Sequence, residues 1–190
     1  DEAYAEYVND PSFPDSSELQ KKYPNLIILR TFSKIYGLAG LRIGYAILEE
    51  KLASQLTEGQ IPFSLSYLSS AAAIAALQDE YFVTQSANAN AEQRDYLFEK
   101  LKKLEYNTLP SQANYIYVWF NNDAEKKKVY DTILNNGIAI CDMQIFGQEK
   151  SLRITVGDSK TNKKIIKALD LLHKSSNTSS PSGEESKMRR

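Results

Sequence analysis

The sequence predicts an α/β protein: part of a large α/β domain, then a connecting helix and a small C-terminal α+β domain. Two short apolar runs, residues 25–31 and 41–48, indicate neighbouring strands joined by a glycine-containing turn. After residue 110 the pattern changes to strand, helix, two short strands and helix. We therefore expect the large-domain part over residues 1–80, and the connecting helix and small domain over residues 81–173.

Within the first part, the continuous apolar character of residues 25–31 is typical of a buried strand in a parallel sheet. β-Branched and aromatic residues predict the second strand at 41–48. The polar stretch at 9–22 indicates a surface loop and a short helix. Further helices are predicted at 50–58, at 71–77 with Ser69 or Ser70 as the N-cap, and at 81–104.

The second part follows Pro110 and carries shorter elements. A helix should end at Asn136 and Gly137, a favourable C-terminal cap, and the tail at 174–190 should be disordered because it is rich in Ser, Pro, Gly and charge. The other expected elements are strands at 114–120, 138–141 and 151–156, and helices at 124–134 and 160–173.

Composition argues against several classes of function. With 23 basic and 24 acidic residues there is no positive surface for nucleic acid or an anionic membrane, and no apolar run approaches the roughly 20 residues of a membrane helix. Cys141 is the single cysteine, so we expect a small core residue, no disulfide within the chain and a cytoplasmic setting. The start at Asp1, without methionine, leads us to expect a fragment or a processed product.

Lys34 lies in the loop between the two predicted strands. An isolated loop lysine is usually a solvated surface residue, and a lysine acts as a covalent catalyst only when it is desolvated and held beside a carbonyl partner. The surrounding string at residues 29–45, LRTFSKIYGLAGLRIGY, closely resembles the signature of fold-type I aminotransferases, within them the histidinol-phosphate aminotransferase branch. That resemblance implies that Lys34 forms a Schiff base with pyridoxal 5'-phosphate.

The same resemblance implies the other cofactor ligands. Ser33 and Arg42 correspond to the residues that bind the cofactor phosphate, and a hydroxyl and a guanidinium suit that dianion. The opening motif of the chain matches an upstream family element, in which Asp1 pairs with the pyridine nitrogen and Tyr4 donates to the phenolic oxygen of the ring. A carboxylate beside that nitrogen keeps the ring protonated and therefore able to accept electrons.

Two further positions resemble the substrate site of the family. Arg153, in the string SLRITVG, matches an arginine that binds the anionic group of the substrate, and Asn114 fits a family position with an open role. Tyr36 lines the pocket or packs beside it, and we favour packing. His173, late on the last predicted helix, is not expected to be catalytic.

The resemblance implies an aminotransferase that exchanges an amino group between histidinol phosphate, or a related amino acid, and 2-oxoglutarate in histidine biosynthesis. The complete enzyme is expected to be a homodimer. Two alternatives stay open: an aromatic amino acid aminotransferase, and a truncated, non-catalytic remnant that acts only as a folded module. The front half of the family pattern is absent here, so we expect this function of the complete enzyme and reduced function of the isolated segment.

Overall fold

The computed structural model describes residues 1–177, which form two compact units. The first unit extends further along the chain than the boundary predicted at residue 80. It contains residues 1–92 and 112–114, whereas the second contains residues 93–111 and the chain from Tyr115 onward. The helices are α1 (Ser16–Lys22), α2 (Glu50–Glu58), α3 (Tyr67–Gln78), α4 (Glu80–Lys103), α5 (Asp123–Asn135) and α6 (Ser159–Asn177). The strands are β1 (Ile28–Thr31), β2 (Gly44–Ile47), β3 (Asn107–Thr108), β4 (Tyr115–Trp119), β5 (Cys141–Asp142) and β6 (Ser151–Thr155).

In the first unit, β1 and β2 form an antiparallel hairpin in which Thr31 lies opposite Gly44. The prediction of a parallel pairing for residues 25–31 is therefore wrong for the pairing described here. The connection contains left-handed backbone at Gly37, and the chain reverses over it so that β2 runs back along β1. Leu29 is 46% exposed, so the apolar run does not describe a strand buried on both faces.

The connection between β1 and β2 is longer than the sequence predicted, because residues Ala39–Leu41 form a 3-10 turn and β2 begins only at Gly44. Phe32, Ile43 and Ala73 form a small buried cluster beneath this connection. The cluster brings α3 against both ends of the loop that carries Lys34.

Helix α2 has the predicted bounds, but α3 begins earlier than expected. Its N-cap is Ser66, whose Oγ accepts the Ser69 N–H at 3.1 Å, so the prediction of a cap at Ser69 or Ser70 is wrong. Ser69 is instead buried, and its hydroxyl donates to the Leu41 carbonyl at 2.9 Å. This bond fixes α3 to the end of the loop before Arg42.

The second unit is the small α+β domain that the sequence predicts. Its four-stranded antiparallel sheet has the order β3-β4-β6-β5. Its core comes from alternate residues of β4 and β6 and from the apolar faces of the helices: Leu97, Leu101, Ile116, Val118, Ile133, Leu152, Ile154, Ile165 and Leu169. Gly137 adopts the left-handed conformation of the predicted cap, with φ of 72°.

Three details of the second unit differ from expectation. The strand predicted at 138–141 is β5 at Cys141–Asp142, because only these two residues pair with β6. Cys141 is half-buried, and so is not the enclosed core residue that was predicted. Helix α6 continues through 174–177, where a disordered tail was expected, and the rest of that tail lies outside the described residues.

Within residues 1–177, no helix combines the length and apolar character needed to cross a bilayer.

The β1–β2 pairing makes Gly44 difficult to replace. A Cβ added at Gly44 would lie 2.7 Å from the Arg30 carbonyl oxygen, whereas one added at Gly40 would meet nothing within 4 Å. We expect Gly44→Ala to lower the free energy of unfolding by about 1–3 kcal/mol, because backbone would have to move. Gly40→Ala, the matched control, should change it by less than about 0.5 kcal/mol. Urea unfolding measures both, and equal stabilities would contradict the close approach.

Candidate active site

The loop between β1 and β2 holds Lys34 through hydrogen bonds on both sides. Before Lys34, Thr31 Oγ1 accepts the Ser33 N–H at 3.1 Å and donates to Ser33 Oγ at 2.9 Å. After it, the Gly37 N–H donates to the Lys34 carbonyl at 2.9 Å, and the Leu38 N–H donates to the Phe32 carbonyl at 3.0 Å. The backbone position of Lys34 is therefore set by its own loop.

Buried side chains on either side of Lys34 anchor this loop. Phe32 and Ile35 are 4% and 3% exposed, while Lys34 itself is half-buried. Tyr36 packs with its ring centroid 5.0 Å from that of Phe32, and burial raises the pKa of its hydroxyl. Tyr36 therefore has the packing role that we favoured.

Tyr4 and Lys34 meet although they are far apart in sequence. The Lys34 Nζ lies 5.4 Å from the centroid of the Tyr4 ring, within the range of a cation–π interaction. Tyr4 precedes a 3-10 turn at Ala5–Tyr7. In the same segment, Asp1 is exposed, and its Oδ1 accepts the Ala3 N–H at 3.0 Å.

An ion pair not anticipated from the sequence joins this segment to β1. Arg30 Nη2 and Nε lie 2.9 Å and 3.0 Å from Glu2 Oε2, and the Glu2 N–H donates to the Leu29 carbonyl at 2.8 Å. The available signal was a charged Arg30 inside an apolar run, since such a residue needs a partner when it is partly buried.

Arg42 lies at the far end of the loop in an unusual backbone conformation. Its φ of 50° and ψ of 54° are left-handed, which is costly for a residue with a Cβ. Its Nη1 donates to the Ala39 carbonyl at 2.8 Å, and the side chain is otherwise exposed. Phe63 and Glu105 are also left-handed, so the conformation alone does not assign a function to Arg42.

Asn114 belongs to the first unit, where its side chain is hydrogen-bonded to that of Tyr7. Tyr7 is buried, and burial raises its pKa although the bond to Asn114 opposes that rise. The preceding residue is also held, because Asn90 Nδ2 donates to the Ala113 carbonyl at 3.3 Å. Like Glu2 and Arg30, Tyr7 was not indicated by the sequence.

Arg153 lies on β6 in the second unit, whereas the other predicted site residues belong to the first unit. Its Cζ is 5.2 Å from the centroid of the Tyr115 ring. Its buried Nε has no hydrogen-bond partner among the described residues. A buried guanidinium N–H without an acceptor suits an anionic ligand, because leaving such a donor unbonded is costly.

The chain matches the family model for aminotransferase class I and II over residues 1–169. It belongs to this family. The resemblance inferred from residues 29–45 is thereby confirmed at the level of the family. The roles predicted for single residues remain predictions.

Among characterised relatives, the chain is similar to histidinol-phosphate aminotransferases. It is 39% identical over 170 residues to the protein from Moorella thermoacetica, covering 89% of this chain and 44% of the relative. It is 41% identical over 169 residues to the one from Brevibacillus brevis, covering 89% and 46%. The chain therefore spans about half the length of these relatives.

Solved structures agree with the family and the fold. The histidinol-phosphate aminotransferase from Clostridium acetobutylicum superposes with a TM-score of 0.81 at 27% identity, covering 92% of this chain and 53% of that one. The Sinorhizobium meliloti histidinol-phosphate aminotransferase, solved with pyridoxal-5'-phosphate, gives 0.75 at 28% identity, covering 92% and 48%. The predicted fold, a partial large α/β domain followed by a small α+β domain, is confirmed.

The strained Arg42 allows stability and ligand binding to be separated. We expect Arg42→Gly to raise the free energy of unfolding by about 0.5–1 kcal/mol, because glycine tolerates the left-handed backbone. If Arg42 binds the cofactor phosphate as predicted, the same variant should raise the half-saturating concentration of pyridoxal phosphate at least about tenfold, because a charged hydrogen bond would be lost.

Glu105→Gly is the matched control, since Glu105 is exposed with φ of 62° and lies in the second unit. It should gain stability without any effect on cofactor binding. Urea unfolding and a spectrophotometric cofactor titration give the two measurements. Unchanged cofactor binding in Arg42→Gly would show that Arg42 is not a ligand of the cofactor phosphate.

Proposed function

We propose that this chain carries the Schiff-base lysine and much of the cofactor site of a pyridoxal-phosphate-dependent aminotransferase. The proposed reaction moves the amino group of histidinol phosphate to 2-oxoglutarate, in histidine biosynthesis. The observation that carries the proposal is Lys34, which is held half-buried in its family motif with its Nζ over the Tyr4 ring. Relatives named histidinol-phosphate aminotransferase support the choice of substrate.

The residues of the first unit fit this cofactor. Ser33 Oγ accepts a hydrogen bond from Thr31, which leaves the serine proton available for a phosphate oxygen. Arg42 uses Nη1 for the Ala39 carbonyl, and its other N–H groups are exposed at the same loop. A hydroxyl and a guanidinium are suitable donors for a phosphate dianion. Asp1 and Tyr4 supply the carboxylate and phenol for the ring.

When bound, pyridoxal phosphate supplies an electron sink that stabilises negative charge on the substrate carbon. Lys34 would hold the cofactor covalently, and its amine, once freed, would take the proton from the substrate carbon and donate it at a different carbon. With the cofactor bound, the Asp1 carboxylate would keep a proton on the ring nitrogen, and the Tyr4 hydroxyl would donate to the phenolic oxygen.

Arg153 and Asn114 are proposed to bind the substrate. The free Nε of Arg153 is a donor for the phosphate or carboxylate of the substrate, and the Tyr115 ring orients the guanidinium. Asn114 is hydrogen-bonded to Tyr7, which attaches its side chain to a buried residue of the first unit.

The complete enzyme is proposed to be a cytoplasmic homodimer. Support for an interface comes from large apolar side chains that are exposed over residues 61–68: Ile61 at 76%, Phe63 at 101%, Tyr67 at 85% and Leu68 at 75%. Several large apolar side chains exposed within one short stretch are typical of a surface that another protein segment covers. Sedimentation velocity of the complete protein tests the dimer, and a monomer at micromolar concentration would exclude it.

The reaction can be tested in the complete protein with Lys34→Ala. Turnover of histidinol phosphate with 2-oxoglutarate should fall by about a thousandfold or more, because the residue that moves the proton is lost. Lys51→Ala, an exposed change on α2, is the control and should keep wild-type turnover. Normal turnover by Lys34→Ala would reject the proposed role.

The choice of donor is tested with the same enzyme by comparing kcat/KM for histidinol phosphate and phenylalanine. The proposal predicts a clear preference for histidinol phosphate. A preference for phenylalanine would instead support the aromatic amino acid aminotransferase, and no turnover of either would favour a non-catalytic module.

A further inference from the structure

Glu2 fastens the segment that carries Asp1 and Tyr4 to strand β1 at two points. Its backbone N–H donates to the Leu29 carbonyl at 2.8 Å, and its carboxylate accepts from Nε and Nη2 of Arg30. The Glu2 side chain is only 11% exposed and that of Arg30 is 33% exposed. The ion pair is therefore partly shielded from water and stronger than an exposed surface pair.

Arg30 also interacts with Tyr45 on strand β2. It lies opposite Tyr45 in the β1–β2 register, and the Tyr45 side chain is hydrogen-bonded to it. The Tyr45 ring lies 5.8 Å from that of Phe32, which anchors the loop of Lys34. The Arg30 guanidinium thus links the Asp1–Tyr4 segment to the β1–β2 hairpin, whose loop contains Lys34.

The Glu6 carboxyl group also lies within electrostatic reach of this pair. Burial raises the pKa of Glu6, its own backbone hydrogen bond and the charge of Arg30 lower that pKa, and the charge of Glu2 raises it again. Arg30 therefore interacts with two carboxyl groups: it is hydrogen-bonded to Glu2 and acts on Glu6 through its charge. Removal of Arg30 should consequently weaken cofactor binding more than removal of the Glu2 charge.

We infer that Glu2 and Arg30 are positioning residues that hold Asp1 and Tyr4 in register with Lys34. The inference deepens the proposed function and rests on it. Glu2 is adjacent to Asp1 and two residues before Tyr4, while Arg30 is four residues before Lys34. One ion pair therefore connects the two parts of the chain that meet at the cofactor. Small displacements of groups that hold a reacting centre reduce binding and catalysis, even when the fold persists.

A double-mutant cycle in the complete protein tests this inference. The variants are Glu2→Gln, Arg30→Gln, the double variant, and Arg30→Lys as the conservative replacement. The control is Asp142→Asn, which removes the charge from a comparably shielded ion pair with Lys126, at 3.1 Å in the second unit. Unfolding free energies, measured for every variant, separate loss of fold from loss of positioning.

Three readouts are measured. The first is the half-saturating concentration of pyridoxal phosphate, expected to rise about tenfold in Glu2→Gln and further in Arg30→Gln. The second is the pH midpoint of the visible absorption band of the bound cofactor, expected to move by about half a unit or more. The third is hydrogen exchange of the amides in residues 2–7 without cofactor, expected to accelerate about tenfold.

Arg30→Lys should recover most of each effect, the double variant should be little worse than Arg30→Gln, and Asp142→Asn should change only stability. Equal cofactor affinity and equal pH midpoint in all variants, with only stability reduced, would overturn the inference and leave the proposed function intact. Absence of cofactor binding in the wild-type protein would overturn the proposed function, and this inference with it.

Discussion

The close approach of β2 to β1 at Gly44 is the constraint on which the site depends. Thr31 pairs with Gly44, and the Phe32 N–H donates to the Ile43 carbonyl at 3.2 Å, so the intervening loop is closed at its base. Ser33 and Lys34 directly follow Phe32, and Arg42 directly precedes Ile43, so all three lie next to this closed base. With a side chain at position 44 the strands could not come this close. Ser33 and Arg42, the two predicted phosphate ligands, would then move apart.

Closure of the loop fixes only part of the site, because Asp1 and Tyr4 arrive from a distant segment. That segment is attached through the Glu2 backbone, the ion pair with Arg30 and the ring of Tyr4 beneath Lys34. Each contact is individually modest, of the order of 1 kcal/mol, but together they oppose the conformational freedom of this segment. The site is therefore organised by non-local contacts superimposed on a rigid local loop.

Sequence reasoning succeeded where the determinants are local. Helix α2 and the cap at Gly137 depend on residues within a few positions of each other, and both were predicted. The family motif around Lys34 is also contiguous. The partner of β1 was not predictable, since apolar character does not tell which neighbour a strand pairs with. The true cap of α3, Ser66, competed with other serines in the same segment.

The positioning contacts were missed for a similar reason. Glu2 and Arg30 are 28 positions apart, and nothing in a single sequence pairs an acid with a particular base at that distance. The left-handed backbone of Arg42 was hidden because arginine, unlike glycine, carries no signature of that conformation. The sequence thus predicted candidate residues from their type and motif. Which distant residues contact each other, and which backbone conformation they adopt, became visible only in the fold.

The most direct measurement of the account is the location of the covalent bond between protein and cofactor. The complete protein would be incubated with pyridoxal phosphate, reduced with borohydride, digested and mapped by mass spectrometry. The account predicts a pyridoxyl group on Lys34, at near-stoichiometric yield, with other lysines labelled only at the level of a denatured control. Labelling spread evenly over surface lysines, with Lys34 unmodified, would contradict it.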